Sequence, residues 1–176
     1  MKKYVIIIIV ALLLVAGGVY WFTQPSVAPT VPTVTDNWLT FTDEAGVYTF
    51  SYPSDLGTTY LTTEEWPPLV NLLEGSTVDC APANPPTAHA GVTEPKIING
   101  REYCVTAQVE GAAGSTYTDY AYLTVLNKKV VKLTLTIREP QCDNYNEPQQ
   151  SECKTEQANL DLDELIGKMI SSLSFK

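Results

Sequence analysis

Hydrophobic positions fall into three regimes along the chain: one unbroken apolar block, several alternating stretches, and one helical stripe. The block runs YVIIIIVALLLVAGGVYWF from Tyr4 to Phe22, nineteen residues with no charge or amide, and directly follows Lys2 and Lys3. At 1.5 Å per residue a helix of this length reaches about 28 Å, close to the ~30 Å hydrocarbon core of a bilayer. A membrane anchor is therefore expected at 1–22. Alternation marks strands in Gly46 to Tyr52, where Tyr48, Phe50 and Tyr52 share one side and Pro53 ends the run. Thr58 to Thr63 suggests a second strand. Arg101 to Val109, Thr116 to Leu126 and Val130 to Arg138 read as three antiparallel strands, with loops at 110–115 and 127–129. Leu162, Leu165, Ile166, Met169, Ile170 and Leu173 then recur at helical spacing, with Asp161 as N-cap and Glu164 three residues on. That closing amphipathic helix is expected to cover the sheet.

Other segments are punctuated by proline. Glu65 to Leu73 reads as a short helix with Pro67 and Pro68 in its first turn. Ala81 to Pro95 holds four prolines and reads as an irregular surface loop containing His89, the only histidine. Cys142 to Cys153 reads as a polar loop. Register in the meander stays open. A two-residue turn sets the tyrosines of the preceding strand, Tyr120 and Tyr122, beside Leu133 and Leu135, whereas a three-residue turn substitutes Ala121, Leu123 and Val125.

The apolar block changes the meaning of everything after it. Lysines before it and an acidic region after it place the N-terminus in the cytoplasm and the rest of the chain outside. The block ends in bulky Val19, Tyr20, Trp21 and Phe22, which favours a retained signal-anchor over a cleaved leader. Leu14 to Gly18 resembles a lipobox with glycine in place of the lipidated cysteine. Residues 23–36, TQPSVAPTVPTVTD, form a Pro/Thr-rich linker that in polyproline II would reach on the order of 40 Å at ~3.1 Å per residue. Residues 37–176 are long enough for one extracytoplasmic domain.

All twenty acidic residues but only nine of the eleven basic ones follow the block, a formal charge of −11. No basic cluster exceeds Lys128-Lys129, so the footprint needed to neutralise phosphates is missing and nucleic acid is not expected as a partner. Cys80, Cys104, Cys142 and Cys153 are the only cysteines, all in this region. Two disulfides are expected, with the pairing Cys80–Cys104 and Cys142–Cys153 favoured among three, because each bridge joins neighbouring segments. Spacings of 24, 38 and 11 do not form the close knuckles of a zinc site.

Candidate chemistry is sparse. Gly111 to Thr116 has the glycines of a phosphate loop without its Lys-Ser/Thr and joins two strands, so it reads as a hairpin loop. Asp143, Asn144, Asn146 and Glu147 offer oxygens for calcium without the D-x-[DN]-x-[DN]-G spacing. His89 stands apart from any G-x-S-x-G nucleophile. No catalytic residue, cofactor or metal is assigned. Tyr103, Tyr117, Tyr120 and Tyr122 fall in adjacent strands and read as core packing or, alternatively, as an aromatic surface for glycan or peptide. The absence of any N-x-S/T acceptor is in keeping with a bacterial envelope origin.

Two motifs carry a resemblance. GVYTFSYPSDL at 46–56 resembles the opening motif G-f-x-F-x-Y-P-x-x-W of PsbP-like and Mog1-like domains, with Leu56 where tryptophan is common. ELIGKMISSLSF at 164–175 is similar to their final helix and its ILSSFKF-type ending. The middle, from NGREYC to the SEC segment, resembles uncharacterised membrane-anchored proteins of small-genome candidate-phylum bacteria. The resemblance implies an α+β fold, an antiparallel sheet flanked by helices in a PsbP/Mog1-like sandwich, and a noncatalytic accessory or assembly role. The expectation is a membrane-anchored extracytoplasmic binding or assembly module with a possible envelope protein or glycan partner. The alternative is an envelope enzyme, hydrolase-like, that draws on His89 or scattered acidic residues.

Overall fold

Alternating stretches from 92 to 140 build the largest element of the fold, a sheet in which three long strands occupy the centre. A computed structural model describes residues 37–81 and 91–176. The anchor at 1–22, the linker at 23–36 and His89 lie outside the described residues. Among the described residues no helix is long and apolar enough to cross a membrane.

The long strands are β6 (Arg101–Ala112), β7 (Ser115–Leu126) and β8 (Lys129–Pro140). β5 (Val92–Ile98) flanks β6, while β3 (Thr62–Thr63) and β4 (Leu69–Leu73) both pair with β8, and every pairing is antiparallel. β1 (Trp38–Thr42), β2 (Tyr48–Pro53) and β9 (Ser174–Phe175) form a second, three-stranded antiparallel sheet. Among the described residues two α-helices, α1 (Gln149–Asn159) and α2 (Leu162–Ser172), accompany the sheets in an α+β fold.

Two tight turns fix the register of the meander. Asn127 and Lys128 both have positive φ, 51° and 63°, and Ala113 and Gly114 do likewise at 48° and 76°. Both are two-residue hairpin connections whose backbone matches the twist of the flanking strands. The first sets Tyr122 opposite Leu133 and Tyr120 opposite Leu135. This face of the sheet is therefore the covered one: Tyr122, Val131, Leu133 and Ile137 are at most 1 % exposed. α2 lies over it with Leu165, Ile166, Met169 and Ile170, all buried, and β2 adds Phe50. The Tyr48 hydroxyl donates to the Val70 carbonyl at 2.9 Å, tying the small sheet to β4. α2 starts as expected, with Asp161 Oδ1 accepting from the Glu164 N–H at 2.8 Å.

Three segments depart from the sequence reading. Glu65 to Leu73 is not a helix: Trp66–Pro67 is a cis peptide, and the apolar run after it is strand β4. Val70 and Leu72 alternate there against Leu133 and Val131, and pairing satisfies the outer backbone groups of β8, which a helix would leave bare. Ala81 to Pro95 is not irregular to its end, because Val92 to Pro95 belong to β5. Proline is tolerated there because β5 is an edge strand, where a missing donor can face away from the ladder. Cys142 to Cys153 is not a plain loop but a 3₁₀ turn, Cys142–Asn144, followed by the first half of α1. Thr58 to Thr63 contributes only the two residues of β3.

Both disulfides form with the favoured pairing. Cys80–Cys104 fastens the segment after β4 to β6, and Cys142–Cys153 fastens the 3₁₀ turn to α1.

Candidate functional site

Strand alternation decides which tyrosines meet. Tyr120 and Tyr122 sit two apart on β7 and share a face with Tyr103 of β6, so the three rings form one cluster. Tyr103 and Tyr122 meet edge-on with centroids 6.4 Å apart, and Tyr120 and Tyr122 lie 6.2 Å apart at 30°. Tyr117, of opposite parity, pairs with Arg138 and points to the other face. Tyr103 and Tyr122 are 3 % and 1 % exposed and belong to the core. Tyr120 is half-buried and borders a cleft.

That cleft, about 460 Å³, lies where β5 and β7 meet the α1–α2 junction; Lys96, Tyr120, Tyr122, Asn159, Asp161 and Asp163 contribute to its walls. Its polar centre is Asp163 in the first turn of α2. Lys96 Nζ donates to Asp163 Oδ2 at 2.8 Å, and the Tyr122 hydroxyl donates to Asp163 Oδ1 at 2.7 Å. Lys96 also lies 3.5 Å from Glu94 Oε1. One carboxylate is thus held by a cation and a phenol on two different strands. Both partners are fixed in their protonated forms. Burial pushes the Tyr122 phenol far above the usual tyrosine range, and its bond to the Asp163 carboxylate adds to the shift. The same carboxylate raises Lys96, against a smaller opposing effect of burial. Tyr120 is raised by burial first and by the Glu139 carboxylate second.

A second cavity, about 750 Å³, opens on the opposite face of the sheet beneath residues 76–80. Val78, Pro95, Ile97, Leu123 and Val125 line it together with the Cys80–Cys104 bridge. Ile97 is 76 % exposed, and Val125 and Leu73, in the same cross-strand row, are also exposed.

The glycine-bearing segment 111–116 is the β6–β7 hairpin turn, as the sequence indicates. Asp143 is occupied by Lys154 Nζ and Gln150 Nε2, each at 2.8 Å, and its carboxyl is held below the usual range by that lysine. Among the described residues no three His, Cys, Asp or Glu side chains are grouped to hold a metal.

Three residues that organise the structure escaped the sequence reading. Lys96 falls between the loop read at 81–95 and the strand read from Arg101, in residues assigned to no element, and Asp163 reads there only as an acidic residue suited to a helix N-terminus. Glu156 sits on the buried side of α1 and accepts three main-chain N–H groups, from Thr59, Tyr60 and Leu61, at 2.6 to 2.8 Å. The one signal for it was a glutamate three residues after Cys153 in a stretch without other apolar anchors.

Comparison with family models, with curated proteins and with solved structures finds no match to this chain.

Proposed function

We propose that this chain is a membrane-tethered module that displays its α+β domain on the oxidising side of a cell membrane and works there by binding or assembly. The observation that carries the reading is the pairing of all four cysteines into two disulfides in the region that follows the apolar block. Disulfides persist where thiols are not kept reduced, and a single span with lysines on its N-terminal side delivers the following domain to such a compartment. The span is 4–22, retained and single-pass, with the N-terminus cytoplasmic and 23–36 as a spacer.

The finer fold reading is a PsbP/Mog1-like sandwich. It is supported by the two motif-bearing ends meeting in one sheet, where Tyr48 of β2 pairs with Phe175 of β9. Gly46, at φ 67°, lies in the turn that precedes that strand, and Phe50 buries in the core. A binding role is favoured by exposed Ile97 and Val125 on the walls of the second cavity, since exposed apolar surface with a polar rim is typical of contact sites.

The test is protease added to intact cells that express the full chain. The proposal expects the domain to be digested without lysis, and expects no alkylatable thiol before reduction. Protection until lysis, or four free thiols, overturns it. Crosslinking in the same intact cells then identifies the partner.

A further inference from the structure

The cleft around Asp163 combines features that recognise polyols. An acceptor carboxylate and a donor ammonium stand 2.8 Å apart, each already oriented by a second partner, Tyr122 for Asp163 and Glu94 for Lys96. Such a pair matches the adjacent hydroxyls of a pyranose ring, one donating to the carboxylate and one accepting from the ammonium. Tyr120 adds an aromatic wall able to pack against the apolar face of a sugar, and Asn159 adds an amide with both donors and an acceptor. The volume, about 460 Å³, lies within the small-ligand range.

Charge and topology narrow the ligand further. Asp161 and Asp163 line the cleft with Lys96 as the one lysine in its wall, and Glu94 lies beside that lysine, so an anionic ligand is repelled. An extended peptide would dock by adding a strand at the edge of β5, and Pro95 in the middle of that edge strand removes a donor such pairing needs.

We infer that this cleft binds a neutral pyranose residue of a glycan, with the ring against Tyr120 and vicinal hydroxyls bridging Lys96 and Asp163. The inference goes beyond the apolar surface on the other face of the sheet and rests on the proposed extracytoplasmic placement for the source, a glycan of the layer outside the membrane. In vitro binding and cellular placement are separate measurements, so each reading can fail alone.

The experiment titrates the full chain in detergent with cellotetraose, chitotetraose and, as the competing class, an unstructured tetrapeptide, following backbone amide resonances. At least one tetrasaccharide is expected to give saturable shifts at Lys96, Tyr120 and 158–163. Tyr120→Ala and Asn159→Ala are each expected to weaken that binding about tenfold, a loss equal to one decade in Kd. Tyr117→Ala, on the other face, is expected to leave it unchanged. Asn159 is exposed, so its variant keeps the test decisive if Tyr120→Ala fails to fold. No saccharide response up to about 10 mM, a range weaker than any useful affinity, overturns the inference. So do shifts that map elsewhere, binding of the peptide alone, or variants that bind like the wild type.

Discussion

The carboxylate of Glu156 accepts the main-chain N–H of Leu61 at 2.8 Å across ninety-five residues of sequence. Thr59 and Tyr60 donate to the same group, at 2.7 and 2.6 Å. These three donors belong to a bend between β2 and β3 that has no ladder partner, and Glu156 is only 9 % exposed. One side chain therefore satisfies a whole turn and docks α1 on it, a role that hydrophobic packing does not fill because α1 is polar on nearly every side. Glu156→Ala leaves three donors of a part-buried turn unpaired, and charge-assisted bonds of this kind contribute roughly 1.5–3 kcal/mol each before compensation by water. A loss of about 3 kcal/mol is expected in urea unfolding, with Leu61 the first core residue to lose amide protection. Glu152→Ala, which breaks only an exposed bond to the Tyr60 hydroxyl, is expected to stay within about 1 kcal/mol of wild type.

Much of the architecture was legible because it is encoded locally. The last long strand alternates strictly, α2 repeats its apolar residues every three or four positions, and an N-cap with an acidic first turn marks where α2 begins. Register was undecided only until the backbone of Asn127 and Lys128 chose the two-residue turn. What the sequence hid is nonlocal. Leu69 to Leu73 is too short for periodicity to separate helix from strand, and only the open edge of β8 decides it. α1 buries Cys153 and Glu156 and almost nothing apolar, so no hydrophobic stripe announces it. The Asp163 cleft likewise exists only where β5, β7 and the α1–α2 junction converge, and none of the three carries a motif.

Removing each disulfide tests how far the chain depends on its compartment. The bridges close loops of 24 and 11 residues, for which chain entropy alone gives about 3 kcal/mol apiece. Cys142→Ser with Cys153→Ser is expected to cost at least that amount, because Cys153 is fully buried and its replacement places a hydroxyl in the core. Cys80→Ser with Cys104→Ser is expected to cost about 3 kcal/mol and to free residues 76–80 from the sheet, read as faster amide exchange there. Equal stability with and without reductant would contradict both.

Alkaline pH should find a weak point in the tyrosine cluster. Tyr122, Tyr120 and Tyr103 are all raised in the folded state, chiefly by burial, and Tyr122 furthest. A raised phenol keeps its proton longer in the folded chain than in the unfolded one. Its contribution is complete below the ordinary tyrosine value near 10 and falls as pH climbs beyond it, because the unfolded chain then releases protons that the folded chain retains. Unfolding free energy is expected to be flat across neutral pH and to drop steeply above about pH 10, with cooperative appearance of tyrosinate absorbance at the unfolding transition. Tyr122→Phe removes the largest of these contributions and should make the decline shallower. The same variant costs about 1–2 kcal/mol at neutral pH by stripping Asp163 of a donor.

Gly167 sets how closely α2 approaches the β5–β6 hairpin. It is buried in the middle of the helix, and a Cβ there would lie 2.7 Å from Ile98 Cγ2 and 2.7 Å from Asn99 Nδ2. Helix propensity alone would reward alanine by up to about 1 kcal/mol, so the sign of Gly167→Ala reports which effect wins. Asn99 is exposed at a hairpin turn and can swing aside. Ile98 is 6 % exposed and packed in the core, so its methyl cannot move without displacing the strand. Overpacking of this kind costs roughly 1–3 kcal/mol, which outweighs the gain in propensity. Gly167→Ala is therefore expected to lower stability by about 1 kcal/mol and Gly167→Val by more, since a branched side chain also loses rotamer freedom in the helix. Ile98→Ala, which deletes the Cγ2 methyl that the new Cβ would meet, should recover part of the loss when combined with Gly167→Ala. A double-mutant cycle in urea with a favourable coupling of at least about 0.5 kcal/mol would establish that these two residues set the spacing, and strict additivity would show that the helix is positioned elsewhere.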